Sequence, residues 1–266
     1  MKKLILLLTT GVIVAMVSCM KTATTEQNGG KANIHVHLTD APGLFDEVNI
    51  DIKDVQVKLT ADGSDSGWQS INLVRPGVYN LLDYRNGADT ILGSLSVPAG
   101  PVSQLRLVLG SNNSVVVDGV SFPLQTPSAQ QSGLKLLINT SLSAGINYHF
   151  TMDFDGARSI VKTGNGNYIL KPVIRIFTES TTGAIKGLVD PASSKAWVYA
   201  IANQADTLAT TQADTLTGRF LLQGIAAGAA YKVAIHATAG AYKDTTLTNI
   251  TVTNGVATDI GKISLQ

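Results

Sequence analysis

Two histidines near the start of the chain have a spacing that could bind a transition metal. His35 and His37 are two residues apart, so on a β-strand both imidazoles project from the same face. Imidazole nitrogens bind zinc and copper when a third group converges on the ion. His149, Asp153 and Asp155 are also in phase with one another. A mixed histidine and aspartate site would form if the two strands were adjacent.

The alternative for these side chains is a solvated strand face, and it is the one we favour. The residues that alternate with the first two histidines are Ile34, Val36 and Leu38. This apolar set predicts that the opposite face of the strand is buried. We therefore predict no metal and no other cofactor. The histidines and aspartates named above would be the ligands if a metal ion were bound.

Aspartates could also bind calcium or act as acids and bases. Calcium takes six or more oxygens, usually from a compact loop, and the segment from Asp40 to Asp46 lacks the alternating acidic residues of such a loop. A turn cap over Ala41-Pro42 explains Asp40 better. The sequence contains no Gly-x-Ser-x-Gly, no His-Glu-x-x-His and no phosphate-binding glycine-rich loop. We therefore predict that the protein is not an enzyme and has no catalytic residues.

The elements that position these side chains are predicted to be β-strands. Apolar and polar residues alternate over 34–39, 48–53 and 55–60, which is typical of strands with one buried face. A single helical turn is predicted over 90–95. Further strands are predicted over 105–109, 114–117, 134–138, 149–154, 168–177, 184–189, 196–201, 219–222, 231–236, 244–252 and 259–265. Short strands separated by turns at this spacing indicate an all-β protein made of sandwiches.

The composition limits the classes of partner. The formal net charge is +1, so no excess of basic residues is available to neutralise phosphates, and we expect no nucleic acid partner. A single cysteine excludes a disulfide framework and any multi-cysteine metal or iron–sulfur site. The hydrophobic content of 44% is enough to build ordered cores.

The N-terminus has the features of a secretory signal. Lys2 and Lys3 precede an apolar run over residues 4–17. As a helix this run would span roughly 21 Å, less than the hydrocarbon core of about 30 Å, so it predicts a signal peptide rather than a membrane span. The run ends in Val17-Ser18-Cys19, which resembles the lipobox of bacterial lipoproteins. The resemblance implies that Cys19 is lipidated on its sulfur and becomes the mature N-terminus.

A lipidated cysteine implies a location in the cell envelope. Two or more acyl chains hold a protein stably on a bilayer, so membrane lipid is the first expected partner, through Cys19. We expect the outer membrane of a Gram-negative bacterium. Glu26 is the one acidic residue in the polar stretch after the cysteine, and this leaves both the periplasmic and the surface-facing orientation open.

The strands fall into two series, separated by small polar residues after Glu179. We predict a lipoprotein signal peptide over 1–18 and a flexible tether over 19–31. A β-sandwich module over 32–179 and a second over 183–266 follow in tandem.

The first of these modules resembles a family of bacterial lipoproteins known as domain of unknown function 4382. The resemblance is carried by His37-Leu38-Thr39-Asp40-Ala41-Pro42, Tyr79-Asn80-Leu81-Leu82, Leu105-Arg106-Leu107-Val108-Leu109-Gly110, Met152-Asp153-Phe154-Asp155 and Leu170-Lys171-Pro172-Val173-Ile174-Arg175. The family has no established biochemical role, so the resemblance implies a fold and little more.

The second module resembles the carboxypeptidase regulatory-like, or transthyretin-like, β-sandwich family. The resemblance is carried by Gly187-Leu188-Val189, Val198-Tyr199-Ala200, Gly218-Arg219-Phe220, Gly224-Ile225 and Tyr231-Lys232-Val233. It implies an accessory domain with no catalytic residues of its own. Gly218 is expected to turn the chain before Phe220 enters the core.

These observations together predict a non-catalytic, lipid-anchored protein of the cell envelope with an adhesion, ligand-binding or structural role. An envelope protein or a glycan would be its further partner. The alternative is a carbohydrate-binding accessory protein, which needs exposed aromatic rings. Trp68 is the candidate ligand-binding residue for that role, whereas Trp197 is expected in the core. A metal-dependent enzyme is the third class.

Overall fold

The computed structural model describes residues 30–41, 43, 45–60, 66–126, 132–202 and 206–266. Cys19, the predicted signal peptide and nearly all of the predicted tether lie outside these residues. No helix in the described ranges is long and apolar enough to cross a membrane.

The chain is all-β, as predicted. The first fourteen strands are β1 Lys31–Ala41, β2 Glu47–Lys58, β3 Trp68–Ser70, β4 Asn72–Leu73, β5 Gly77–Asn80, β6 Thr90–Pro98, β7 Gly100–Leu109, β8 Ser114–Val117, β9 Val120–Gln125, β10 Leu134–Leu142, β11 Asn147–Asp155, β12 Ile160–Lys162, β13 Tyr168–Leu170 and β14 Ile174–Phe177. The remaining strands are β15 Thr182–Asp190, β16 Trp197–Ala202, β17 Asp206–Gln212, β18 Arg219–Ala226, β19 Gly228–His236, β20 Thr245–Val252 and β21 Ala257–Ser264.

Strands β1–β14, here called the first module, form two sheets. One has the order β14-β11-β1-β6-β4, and the other has the order β10-β7-β2-β8-β9-β13-β12, with β3 and β5 paired to β2. Strand β1 pairs in parallel with β11 and antiparallel with β6. This central position brings the two histidine-bearing strands side by side.

Strands β15–β21, here called the second module, form a three-stranded sheet, β18-β15-β21, and a four-stranded sheet, β17-β16-β19-β20. Val198 and Ala200 of β16 are fully buried, which lets the two sheets approach closely. Trp197 is also buried, as expected. The hydrophobic cluster of this module runs from Ile185 to Leu265 and shares no described residue with that of the first module.

The strand alternation in the sequence correctly identifies the buried face of β1. Ile34, Val36 and Leu38 are completely buried and pack in one cluster with Phe150 and Phe154 of β11. Full burial of side chains of this size contributes about 1.5–3 kcal/mol each. The polar side chains of both strands are therefore held on the opposite face.

Two local predictions are wrong. Residues 90–95, predicted as a helical turn, belong to strand β6. Gly93 lets this strand approach β4 so closely that a Cβ would lie 2.3 Å from the Asn72 carbonyl oxygen. The strand predicted over 168–177 is divided into β13 and β14, with Pro172 between them, because proline cannot donate a ladder hydrogen bond.

The short helices are capped by side chains. Asn80 accepts from the backbone N–H of Leu82 at the start of the 3₁₀ helix Leu81–Tyr84. Asp155 accepts from the backbone N–H of Arg158 at the start of α1, Gly156–Ser159. A second 3₁₀ helix spans Ala192–Ser194.

Candidate functional site

The histidines that we predicted to share a strand face meet on the outer side of the first module. The register of β1 and β11 places His35 opposite His149. The rings of these two residues stack with centroids 4.8 Å apart and an interplanar angle of 13°. His37 Nε2 lies 3.1 Å from His149 Nδ1, and His37 Nδ1 lies 2.5 Å from Asp89 Oδ2. We call His35, His37, His149 and Asp89 the histidine face.

The histidine face is open to solvent. His149 is exposed, and the His37 side chain keeps 21% of its accessible surface. Burial lowers the pKa of His35, and repulsion from positive charge on His149 and then on His37 lowers it further. Burial, together with the two neighbouring imidazoles, therefore favours the neutral form of His35.

The aspartates that we predicted beside these histidines lie farther along β11 and have other partners. Asp153 is four residues from His149, about 13 Å along the strand, and both Asp153 and Asp155 are buried. Asp155 accepts from the Arg158 backbone N–H and from Arg158 Nε, at 2.8 and 2.6 Å. Asp153 forms an ion pair with Arg175. Arginines, rather than the histidine face, engage these two carboxylates.

A third buried carboxylate, Asp40, completes this acidic group. Its Oδ1 accepts from the backbone N–H of Gly156 at 3.1 Å, which ties β1 to α1. Its Oδ2 is buried without a hydrogen-bond partner in the described structure. Burial, and after it repulsion from Asp153, raises the pKa of Asp40 well above its ordinary value. Burial thus favours the protonated, neutral form of this carboxyl group.

The outer face of the sheet near these carboxylates is covered by the second module. Arg175 Nη1 donates to the Leu208 carbonyl oxygen at 2.5 Å, and Arg175 Nη2 donates to the Gln223 carbonyl oxygen at 3.3 Å. Thr211 donates to Asn86 Oδ1 at 2.9 Å. Burial raises the pKa of Asp153 in spite of the nearby Arg175. Of the three carboxylates, Asp153 thus serves the contact between the modules, through Arg175.

Apolar contacts complete this interface. The Phe177 ring lies against Gly224, where an added Cβ would be 2.3 Å from the ring. Leu221 lies against Gly87, where an added Cβ would be 2.7 Å away. Both glycines have positive φ, so a side chain at either position would strain the backbone as well as collide with the opposite module.

Trp68, the candidate stacking platform, is half-buried. The Arg106 guanidinium carbon lies 3.8 Å from the centroid of its ring, an attractive cation–π contact. One face of the indole is therefore covered by a cation, and at most the other face is available to a sugar.

A concave surface of about 490 Å³ lies on the three-stranded sheet of the second module, with Asn86 of the first module at its edge. Three cationic side chains line it, from Lys186, Arg219 and Lys262. Asp259 is the acidic residue in the lining and lies 3.7 Å from the Lys186 ammonium. Leu188 and Leu221 supply apolar surface. The groove combines positive charge with an apolar floor.

Two residues that organise these sites, Asp89 and Arg175, are not among the site residues predicted from the sequence. Asp89, which orients His37, lies in a loop, and nothing in the local sequence connects it to β1. Arg175 lies within one of the motifs quoted above, but its partners come from other strands and from the second module. A cation flanked by apolar residues on a predicted strand, Ile174-Arg175-Ile176, was the available signal.

Comparison with known proteins gives one family match. The domain family described as "Domain of unknown function (DUF4382)" matches residues 31–172, more than half of the chain. No curated protein matches the sequence.

Among solved structures, the Bacillus anthracis TIE protein is 9% identical to this chain, with a TM-score of 0.25. The match covers 89% of this chain and 34% of the TIE protein, so this chain spans about a third of the length of the TIE protein. GBS52, the minor pilin of Streptococcus agalactiae, is 11% identical with a TM-score of 0.23, and the match covers 89% and 95% of the two chains. The D295N mutant of the shaft pilin SpaA from Lactobacillus rhamnosus GG is 11% identical with a TM-score of 0.23, covering 89% and 97%. TM-scores this low do not show a shared fold.

Proposed function

The chain belongs to the family described as domain of unknown function DUF4382, and we propose that it is a lipid-anchored cell-envelope protein with a binding or structural role rather than a catalytic one. The observation that carries the proposal is the use of its buried carboxylates. Asp153 neutralises Arg175 at the module contact, and Asp155 caps α1. Both carboxylates therefore have structural partners: Asp153 supports the contact between the modules through Arg175, and Asp155 supports α1 within the first module.

The anchor is proposed to be Cys19, with the following residues as a tether that lifts the two modules from the bilayer. The lipobox-like sequence before Cys19 supports this part. The second module is proposed to be a transthyretin-like accessory domain. Its separate core and its pair of sheets support that assignment.

The anchor is tested by labelling cells with radioactive palmitate and by mass spectrometry of the mature N-terminus. The expected result is label in the wild-type protein, none in Cys19→Ser, and a mature chain that begins with a modified Cys19. A mature chain beginning elsewhere, or Cys19→Ser that still enters the detergent phase, would overturn the proposal. Protease treatment of whole cells would then show which side of the membrane the modules occupy.

A second candidate function is binding of an acidic saccharide in the groove lined by Lys186, Arg219 and Lys262. Its volume of about 490 Å³ lies within the usual range for small-ligand sites, about 300–1,000 Å³. Arg219 would pair with carboxylates of uronic acids, and Lys186 and Lys262 would do so in exchange for their present partners Asp259 and Asp190. The apolar floor would contact sugar C–H groups.

This second function is tested on an array of neutral and uronate-containing glycans. Arg219→Ala and Lys262→Ala should each weaken binding of uronate glycans several-fold. Lys243→Ala, an exposed lysine outside the groove lining, is the control and should change nothing. Binding of neutral glycans only, or equal effects of all three variants, would count against an acidic ligand.

A further inference from the structure

Two imidazole nitrogens of the histidine face lie at the distance expected for ligands of one metal ion. Zinc–nitrogen bonds are about 2.0–2.1 Å long, so two ligands at angles of ~90° to ~110° are about 2.9 to 3.4 Å apart. His37 Nε2 and His149 Nδ1 are 3.1 Å apart. Because two such bonds add to about 4 Å, an ion bound to both nitrogens would lie to one side of the line that joins them, and it would replace their hydrogen bond once both rings rotate toward it.

Asp89 prepares His37 for this role. A carboxylate can only accept at this position, so the contact between Asp89 Oδ2 and His37 Nδ1 places the proton of a neutral His37 on Nδ1. The lone pair of Nε2 then points toward His149. Metal-binding histidines commonly donate their other ring N–H to a carboxylate, which fixes the tautomer and strengthens the ligand.

His35 stacks on His149 but is not itself a ligand of the ion. A histidine binds a metal ion in the plane of its own ring. The His35 ring is nearly parallel to the His149 ring and 4.8 Å from it, so an ion in the plane of His149 lies well outside the plane of His35. This agrees with the finding that no group of three or more His, Cys, Asp or Glu residues in the described part of the chain has the geometry to hold a metal ion.

We propose that His37 and His149 form an open, two-nitrogen site for a divalent transition metal, with Asp89 as the orienting residue and water in the remaining coordination positions. Two neutral imidazoles favour Cu²⁺, Ni²⁺ and Zn²⁺ over Mg²⁺ and Ca²⁺, and the order of affinity follows Mn²⁺ < Co²⁺ < Ni²⁺ < Cu²⁺. Because half or more of the coordination sphere is water, the ion exchanges readily and can accept a ligand from a partner. The proposal does not depend on the lipid anchor.

The chain contains its own control. His236 Nδ1 lies 2.6 Å from Asp244 Oδ2, which repeats the contact between His37 and Asp89. Neither the hydrogen bonds nor the ring contacts of the described residues bring a second histidine to His236. Loss of His236 therefore removes an imidazole with the same kind of carboxylate partner but no shared metal position.

The test is isothermal titration of the full-length, untagged, detergent-solubilised protein with ZnSO₄ and NiCl₂ after treatment with EDTA. One equivalent of each ion should bind to the wild-type protein. His37→Ala and His149→Ala should each lower the affinity at least tenfold, Asp89→Asn should lower it about tenfold, and His236→Ala should leave it unchanged. Absence of saturable binding, or an equal effect of His236→Ala, would overturn the proposal.

A second measurement uses the wild-type protein only, so its result does not depend on whether the variants fold. The ring protons of the four histidines are followed by NMR while Cu²⁺ is added to the wild-type protein in sub-stoichiometric amounts. Paramagnetic broadening should remove the signals of His37 and His149 first and leave those of His236 sharp. Uniform broadening of all four histidines would show that the ion binds without a specific site, and the proposal would fall.

Discussion

The guanidinium of Arg175 neutralises the buried carboxylate of Asp153 at the place where the two modules meet. The same guanidinium donates to the carbonyl oxygens of Leu208 and Gln223 in the second module. One side chain of the last strand of the first module therefore satisfies a charge on its own sheet and two backbone groups on the next. Loss of Arg175 would therefore remove the ion pair and two hydrogen bonds between the modules at the same time.

Replacing Arg175 should lower the free energy of unfolding more than replacing a surface cation does. Arg175→Ala leaves Asp153 buried without its partner, for which about 3–5 kcal/mol of unfolding free energy is typical. Lys262→Ala breaks the exposed pair with Asp190 and should cost about 1 kcal/mol or less. Urea unfolding measures both losses.

The same variant should also loosen the contact between the modules. Subtilisin, which does not require a basic residue, should cut Arg175→Ala between β14 and β15 faster than it cuts the wild-type protein or Lys262→Ala. Similar losses of stability in the two variants, together with equal cleavage rates, would show that Arg175 does not hold the interface.

The buried acid Asp40 should make stability depend on pH. Burial and repulsion from Asp153 raise its pKa in the folded protein, so the folded state keeps a proton that the unfolded state loses above about pH 3.9. The contribution of this residue is therefore complete in acid and declines as pH rises toward the folded pKa. Asp155, Arg85 and the Gly156 N–H also act on the carboxyl.

Asp40→Asn removes this titration while retaining the Oδ1 acceptor for Gly156. We expect its melting temperature to exceed that of the wild-type protein by several degrees at pH 8, with a smaller difference at pH 4. Asp206→Asn, at the exposed start of β17, should follow the wild-type curve. A difference that grows toward acid pH would contradict the sign of the shift.

Gly218 should tolerate no side chain. Its φ is +74°, and an added Cβ would lie 2.0 Å from the Val189 carbonyl oxygen. Gly255 has a φ of +71° and nothing within 4 Å of the Cβ position. Gly255→Ala should therefore lower the free energy of unfolding only by the strain of a left-handed backbone, about 1–2 kcal/mol. Gly218→Ala should lower it considerably more.

Chemical denaturation of the two alanine variants separates backbone strain from collision. Equal losses in the two variants would mean that the chain near Val189 moves aside without cost. The larger loss expected for Gly218→Ala would identify this glycine as the close contact that brings the turn before β18 against β15.

The solvated face expected for Asp153 and Asp155 is wrong, because both side chains are buried beside the contact with the second module. The sequence was sufficient to predict the buried face of β1, where Ile34, Val36 and Leu38 alternate with polar residues, because alternation is a local property. It could not predict that β1 and β11 are neighbours, since parallel pairing of strands more than 100 residues apart depends on the topology of the whole sheet. The partners of Asp153 and the position of Asp89 depend on that topology too. Residues 90–95 were misassigned because close approach to another strand, rather than local propensity, decides their conformation.

Strand β1 is paired along both edges, with β11 from Asn33 to Ala41 and with β6 from Lys31 to Leu38. In a chain anchored through Cys19, as proposed, a pulling force from the membrane would reach the first module at Lys31, the first residue of β1. Force directed along the strand runs nearly at right angles to its hydrogen bonds. Many bonds on both sides would have to shear at once instead of opening one by one. The first module would then stay folded under a pulling force applied through the proposed anchor.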